Sequence, residues 1–290
     1  MLKQLLKSMR PRQWTKNGFI FAALVFDQQL LKPLPLLHTV AGFVILCLGS
    51  SAVYLLNDIA DLERDRLHPK KRSRPLASGK LSVRVAQVAA ATLFLLALIA
   101  GFSLNLFLGI IVLTYILTNF LYSFWLKHVP IIDVLILASG YLLRVAAGVV
   151  LIVVQRFSPW LYVCTTLLAL FIGLGKRRAE MVLLADGANS HRRVLDGYTI
   201  PFLDQLIVIV SGTTIVAYSL YTFSAVNLPD NNLMMLTIPY VIYGIFRYLY
   251  LINVMNTGGA PEEVVLSDLP LLVTLVLWGI TAVGILYLGS

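Results

Sequence analysis

The sequence predicts an all-α integral membrane protein, a bundle of nine transmembrane helices with its active-site loops on the cytoplasmic face. Three observations carry that expectation. Of the 290 residues, 59% are apolar and only 13% are charged. Apolar runs recur at close to twenty residues, the length a helix needs to cross roughly 30 Å of hydrocarbon. Short polar turns separate them, as in a bundle whose backbone must satisfy its own hydrogen bonds.

The expected spans are 15–31, 37–60, 82–102, 104–124, 131–154, 159–177, 202–224, 234–255 and 266–288. The first is apolar but carries Asp27. The second holds Cys47 and ends in a crowd of carboxylates. The third and fourth lead to a polar end at Tyr122 and Lys127. Arg144 lies inside the fifth, Cys164 inside the sixth and Arg247 inside the eighth, and the last two carry no motif of their own. Two cysteines within spans build neither a disulfide framework nor a zinc motif. The start, "MLKQLLKSMRPRQWTKN", lacks the compact apolar core and small-residue cleavage site of a signal peptide. With no long linker or low-complexity stretch, residues 1–290 read as a single multi-pass membrane domain.

The net charge of +9 is unevenly placed. With nine spans, all 23 Lys and Arg except Lys32, Arg144, Arg156 and Arg247 fall on one side, in the N-terminus and the even-numbered connections. The 256–265 loop, with Glu262 and Glu263, adds nothing to the bias. The positive-inside rule makes the basic side cytoplasmic and the protein a resident of the plasma membrane. This distribution argues for lipid headgroups as partners and against nucleic acid. A homo-oligomer is compatible with the composition.

Residues 57–80, "NDIADLERDRLHPKKRSRPLASGK", concentrate charge in a chain that otherwise avoids it. On one helix Asp58, Asp61 and Asp65, spaced three and four apart, would project from one face, with Asn57 a turn before Asp61. Three like charges near a membrane need neutralising. Arginines could do so as a salt-bridge ladder, although Glu63, Arg64 and Arg66 point elsewhere. A hard divalent cation is the other solution, because Mg²⁺ takes a few carboxylates together with phosphate oxygens and water. The loop that follows, with Lys70, Lys71, Arg72, Arg74 and Lys80 among Pro69, Pro75 and Gly79, suits the second. Metal on the acidic face and cations on the loop can together hold a diphosphate, and Arg74, between Ser73 and Pro75, is the expected bidentate contact.

These residues resemble the NDxxDxxxD motif of the UbiA prenyltransferase superfamily, nine-helix intramembrane enzymes that bind a diphosphate substrate through Mg²⁺. The resemblance continues through "LYSFWLKHVPIIDVLILASGYLLRVAAG", residues 121–148. It implies metal ligation by Asn57, Asp58, Asp61 and Asp65, with Asp58 and Asp61 central to catalysis. Tyr122 and Lys127 could reach a phosphate, or be an interfacial tyrosine and a snorkelling lysine.

The second half departs from the family pattern. Typical members carry a second acidic DxxxD after the sixth helix. Here the place reads "GLGKRRAEMVLLADGANSHRRVLDGYTIPFLDQ", with no DxxxD between 173 and 205 and with Lys176, Arg177, Arg178, Arg192 and Arg193 instead. Together with "RPRQWTKN" at 10–17, this basic second motif is similar to one branch, the polyprenyl-phosphate phosphoribosyltransferases of the decaprenyl-phosphate type. The resemblance implies transfer of 5-phosphoribose from 5-phosphoribosyl diphosphate to a polyprenyl phosphate, for cell-wall arabinose donors. It makes Lys16, Asn17, Arg74, Tyr122, Lys127, Lys176, Arg177, Glu180 and Tyr198 substrate-binding candidates. Arg178, two residues from Lys176, should be the most tolerant of the three cations Lys176, Arg177 and Arg178. Two other readings stay open: a prenyltransferase moving an isoprenyl group onto an aromatic acceptor, and a transporter without chemistry, for which Arg144 and Arg247 would be the warrant. Arg144 could equally pair with Asp133 or Asp58.

Overall fold

A computed structural model describes residues 1–67, 71–154, 158–185, 193–255, 264–265 and 267–289. Pro69, Lys70, Arg156, Arg192, Glu262 and Glu263, named above, lie outside them. All regular structure among the described residues is helical, and the chain is a multi-pass integral membrane protein. Its helices gather into two compact units. The first comprises Met1–Leu24, Gln29–Ile136 and Gly140–Val153; the second comprises Val25–Gln28, Leu137–Ser139 and Val154–Ser290.

In the first unit, α1 (Leu2–Ser8) leads into a ten-residue 3-10 helix, Pro11–Ile20. The six-residue α2 (Phe21–Phe26) follows, and then the long α3 (Pro33–Ala60). Pro33 opens α3, where a missing N–H costs nothing. After the short α4 (Leu62–Leu67) come α5 (Val83–Leu104), α6 (Leu106–Phe124) and α7 (Ile132–Leu151). Ser82 caps α5 by accepting from the Val85 N–H. Asn105 ends α5 and caps α6, accepting from Phe107 and Leu108, so the two helices form a tight antiparallel pair. The entry to α7 is sharper. Ile131 has φ 69°, and the Ile132 N–H reaches back to the Pro130 carbonyl at 2.8 Å, closing a γ-turn that a β-branched residue adopts only under strain. The core of this unit includes Ile20, Ile45, Leu46, Ala97, Leu108, Val112, Ala147 and Leu151.

The second unit is built from α8 (Trp160–Ala185), α9 (Ile200–Ser224), α10 (Ile238–Asn253) and α11 (Leu269–Leu288). Tyr218, Tyr221, Met234 and Ala282 pack at its centre. The Tyr218 hydroxyl meets Thr237 Oγ1 at 2.6 Å and accepts from Trp278 Nε1 at 2.7 Å, so a polar group among apolar ones is satisfied. Asp268 caps α11 and takes a two-pronged bond from Arg247 of α10 at 3.1 and 2.8 Å. That guanidinium holds the Asp268 carboxyl below its usual range, with the Leu271 N–H adding to the effect.

Among the described residues, eight helical stretches are long and apolar enough to cross a membrane: the helices α3 and α5 to α7, Trp160–Val182 within α8, α9, the 3-10-extended Leu233–Asn253, and α11. They match eight of the nine expected spans. The expected span 15–31 is the correction. It is not one long α-helix but the 3-10 helix followed by α2, and Gln28 at φ 55° ends the run. A 3-10 helix has three residues per turn, so Trp14, Asn17 and Ile20 fall in one row. That row lies antiparallel against α3. Trp14 Nε1 donates to Ser51 Oγ at 3.0 Å, Asn17 Nδ2 reaches Ser50 Oγ and Cys47 Sγ at 3.2 Å each, and Ile20 packs beside Gly42. Counting apolar residues over a window finds the run but not its winding.

Candidate active site

The acidic motif sits where α3 ends. The helix carries Asn57 and Asp58 and stops at Ala60; Asp61 takes φ −98°, ψ 10° as its C-cap, and Asp65 rides on α4. The single helical stripe expected from the spacing is therefore broken at Asp61. Asp58 and Asp65 are buried, whereas the Asp61 side chain keeps 34% of its surface exposed. Cations from elsewhere in the same unit meet all three. Arg74 Nη1 bridges Asp58 Oδ1 at 3.3 Å and Asp65 Oδ2 at 2.5 Å. Arg10 donates to the same Asp58 oxygen and lies over the Tyr54 ring, 5.0 Å from its centre. Lys127, just beyond α6, donates to Asp61 Oδ1 at 2.8 Å. Ser123 of α6 donates to Asn57 Oδ1.

Arg74 reaches both carboxylates because its loop is folded back on itself. Arg74 N–H bonds the Lys71 carbonyl at 2.9 Å, and Ser78 N–H bonds the Arg74 carbonyl at 2.9 Å. Gly79, at φ 74°, then turns the chain toward α5, a conformation glycine takes without steric cost. Leu76 and Leu81 anchor the loop in a small core with Leu55 and Ala86.

The donor set suits Mg²⁺ by chemistry: three carboxylates and an amide oxygen on consecutive turns are hard ligands. The nitrogen of Arg74 marks a point where one positive atom already meets two of those carboxylates. Among the described residues no three His, Cys, Asp or Glu side chains are grouped closely enough to ligate one ion together. An ion would thus take up carboxylate oxygens now held by Arg10, Arg74 and Lys127.

Of the other expected contacts, Lys16 and Tyr122 are half-buried on elements packed against α3. Asn17 is buried and its amide is spent within the protein, since Oδ1 accepts from Arg144 Nε at 2.8 Å while Nδ2 serves Cys47 and Ser50. It therefore orients Arg144 rather than offering itself to a substrate. Arg144 pairs with neither Asp133 nor Asp58. In the second unit, Arg177 is fully buried and donates to Glu180 Oε2 at 2.7 Å; Lys176 is half-buried. Tyr198 is buried against the Phe202 ring.

Arg178 departs from expectation. Its Nε donates to Asp204 Oδ1 at 2.5 Å and its Nη1 to the Ile252 carbonyl at 3.0 Å, so one side chain ties α8, α9 and α10. Arg178→Met should therefore lower the thermal unfolding temperature, by roughly 1–2 kcal/mol of stability once the exposure of Asp204 is discounted, while leaving donor saturation unchanged. A variant as stable as the wild type would show that the strap carries no load.

Sequence reasoning passed over Arg10 and Ser123 as members of the site. The signal for Arg10 was its place in "RPRQWTKN", a cation beside a proline in a charge-poor chain. Ser123 lies one helical turn before Lys127, on the face that meets Asn57.

A membrane bundle that presents an NDxxDxxxD set among converging cations at the end of a span has the architecture of an intramembrane transferase. The pattern of the UbiA prenyltransferase family matches residues 18–263, and the chain belongs to that family as a membrane transferase. It is 33% identical to the decaprenyl-phosphate phosphoribosyltransferase of Corynebacterium glutamicum, over 98% of this chain and 87% of that protein. It is 30% identical to the protein of that name from Mycobacterium tuberculosis, over 97% and 93%. In fold it is similar to a UbiA homologue from Archaeoglobus fulgidus solved with GPP and Mg²⁺, with TM-score 0.74 and 18% identity, covering 98% of this chain and 99% of that one.

Proposed function

We propose that this transferase moves 5-phosphoribose from 5-phosphoribosyl diphosphate to a polyprenyl phosphate of the decaprenyl type, releasing diphosphate, with its N-terminus and active site on the cytoplasmic face of the plasma membrane. The product would feed arabinose donors for the cell wall. The observation that carries this reading is the likeness to decaprenyl-phosphate phosphoribosyltransferases along nearly the whole chain. The basic stretch where other family members hold a second acidic motif agrees with it, since this donor brings a 5-phosphate that prenyl diphosphates lack.

The reaction is displacement at the anomeric carbon. The bond from C1 to the diphosphate oxygen breaks, a phosphate oxygen of the lipid forms the new one, and an α-linked donor yields a β-linked product. Asn57, Asp58, Asp61 and Asp65 would hold Mg²⁺ once their oxygens are released from Arg10, Arg74 and Lys127, and the ion would supply charge neutralisation for the leaving diphosphate. Arg74, Lys127 and Lys16 hold phosphate oxygens, and Tyr122 borders the same end of α6. Lys176 and Arg177, the latter aligned by Glu180, take a further phosphate, with Tyr198 as a neighbouring substrate contact. The acceptor phosphate is anionic at neutral pH, so positioning and preorganised charge carry the reaction without a strong general base.

Purified protein given labelled 5-phosphoribosyl diphosphate and a polyprenyl phosphate should form labelled lipid. In a parallel mixture, prenyl diphosphate and hydroxybenzoate should give none. Label only in the second mixture would reverse the assignment in favour of aromatic prenylation. In the first, Lys176→Met or Arg177→Met should raise the donor concentration for half-saturation about 10- to 100-fold at fixed Mg²⁺. Unchanged curves would leave the cluster as a topology signal.

A further inference from the structure

At the end of α3, charges balance. Arg10 meets Asp58, Arg74 meets Asp58 and Asp65, and Lys127 meets Asp61, so three cations face three carboxylates. Arg144, in the middle of α7, stands outside that balance. Only 6% of it is exposed, and its partners are all neutral: Asn17 Oδ1 at 2.8 Å, the Gly140 carbonyl at 2.7 Å and the Tyr115 hydroxyl at 3.2 Å. Its guanidinium also lies 5.0 Å from the Tyr115 ring centre and 5.8 Å from that of Tyr141. Three of its five N–H groups are engaged, which leaves two without an acceptor among the described residues. A desolvated charge with donors to spare is costly inside a membrane protein and marks a functional position there.

Its surroundings point the same way. Asn17 is fixed by Ser50 and Cys47, which places this arginine about 12 Å along α3 from Asp58. Tyr54, one turn before Asp58, lies under the Arg10 guanidinium. From the acidic end inward, unit one therefore offers carboxylates, then an arginine on a tyrosine, then an arginine among tyrosines and amides.

We infer that Arg144 is a substrate-binding residue that takes a phosphate group inside the first unit, held in aim by Asn17, Tyr115 and the Gly140 carbonyl. Its two spare N–H groups would donate to a pair of phosphate oxygens, a geometry a lysine cannot reproduce. Which molecule brings the phosphate, the sugar donor or the prenyl acceptor, rests on the transfer proposed above.

The test compares wild type, Arg144→Met and Arg144→Lys in detergent. Affinities for inorganic diphosphate, 5-phosphoribosyl diphosphate and farnesyl phosphate are measured by calorimetry, with thermal unfolding of the free protein alongside. Arg144→Met should weaken one of the phosphorylated ligands about 10- to 100-fold and leave the free protein at least as stable, because an uncompensated buried charge has been removed. Arg144→Lys should recover part of the loss. The ligand affected identifies the phosphate's owner. A variant that unfolds earlier yet binds all three ligands as wild type does would make Arg144 a structural fastener and overturn the inference. Wild type that binds diphosphate through Arg144 but ignores phosphoribosyl diphosphate and farnesyl phosphate would sink the proposed transfer and keep this site. Wild type that binds none of the three would end both.

Discussion

Asp61→Ala should reduce transfer by about 10²- to 10³-fold or more and leave the fold intact. Asp61 caps α3 rather than sitting in its interior, is one-third exposed, and meets only Lys127 in an ion pair. Losing a pair of that exposure costs little stability, on the order of 1 kcal/mol. Asp58→Ala should be equally inactive for a mixed reason. Asp58 is 2% exposed and receives both Arg10 and Arg74, so its removal strands two guanidinium groups and costs about 3 kcal/mol or more in stability. Turnover at limiting Mg²⁺, read beside thermal unfolding, separates the two substitutions. Wild-type turnover by Asp61→Ala under those conditions would remove the metal assignment.

Gly148→Ala should prevent the first unit from folding normally. A methyl at Gly148 would overlap the carbonyl oxygen of Ile20, a backbone atom with no rotamer to escape into. Relief requires α7 and the 3-10 helix to part, and such overpacking costs about 3 kcal/mol or more. Gly212→Ala is the control, because a Cβ there meets nothing within 4 Å and alanine favours the helix of α9. Detergent-stable yield and unfolding temperature should fall for the first and hold or rise for the second. A Gly148→Ala protein that behaves like wild type would contradict the close approach.

The helical membrane architecture was legible because apolar run length is a one-dimensional property, and α3 and α5 to α11 match expected spans within a few residues. The concentration of charge at the acidic motif and the loop beside Pro75 and Gly79 was legible too, but Arg74 was expected on a phosphate, and its bridge between Asp58 and Asp65 was not foreseen. What the residues alone did not disclose is long-range pairing. That Arg10 reaches Asp58, or that Ser123 reaches Asn57, depends on how α1, α3 and α6 meet, and no local spacing encodes it. The same holds for Arg178, whose partners Asp204 and Ile252 come from two other helices. Asp61 was misplaced for a different reason: a three-then-four spacing describes one continuous helix, and this helix ends between the first and second carboxylates, with Asp61 as its cap.

The row of Trp14, Asn17 and Ile20 behaves as the teeth of a rack engaged with α3. A winding of three residues per turn stacks them in line, and each tooth has its own slot at Ser51, at Ser50 with Cys47, and at Gly42. Substitution between the teeth, at Arg12, Gln13 or Thr15, leaves the engagement alone. Deleting one residue swings every later tooth by a third of a turn, which at a stroke takes Asn17 from Arg144 and Ile20 from the hollow beside Gly148. At Arg12, Gln13 and Thr15 this stretch is therefore free in spelling, while its length is rigid, and homologous chains that keep the engagement should vary in letters at those positions but not in the count between Arg10 and Ile20.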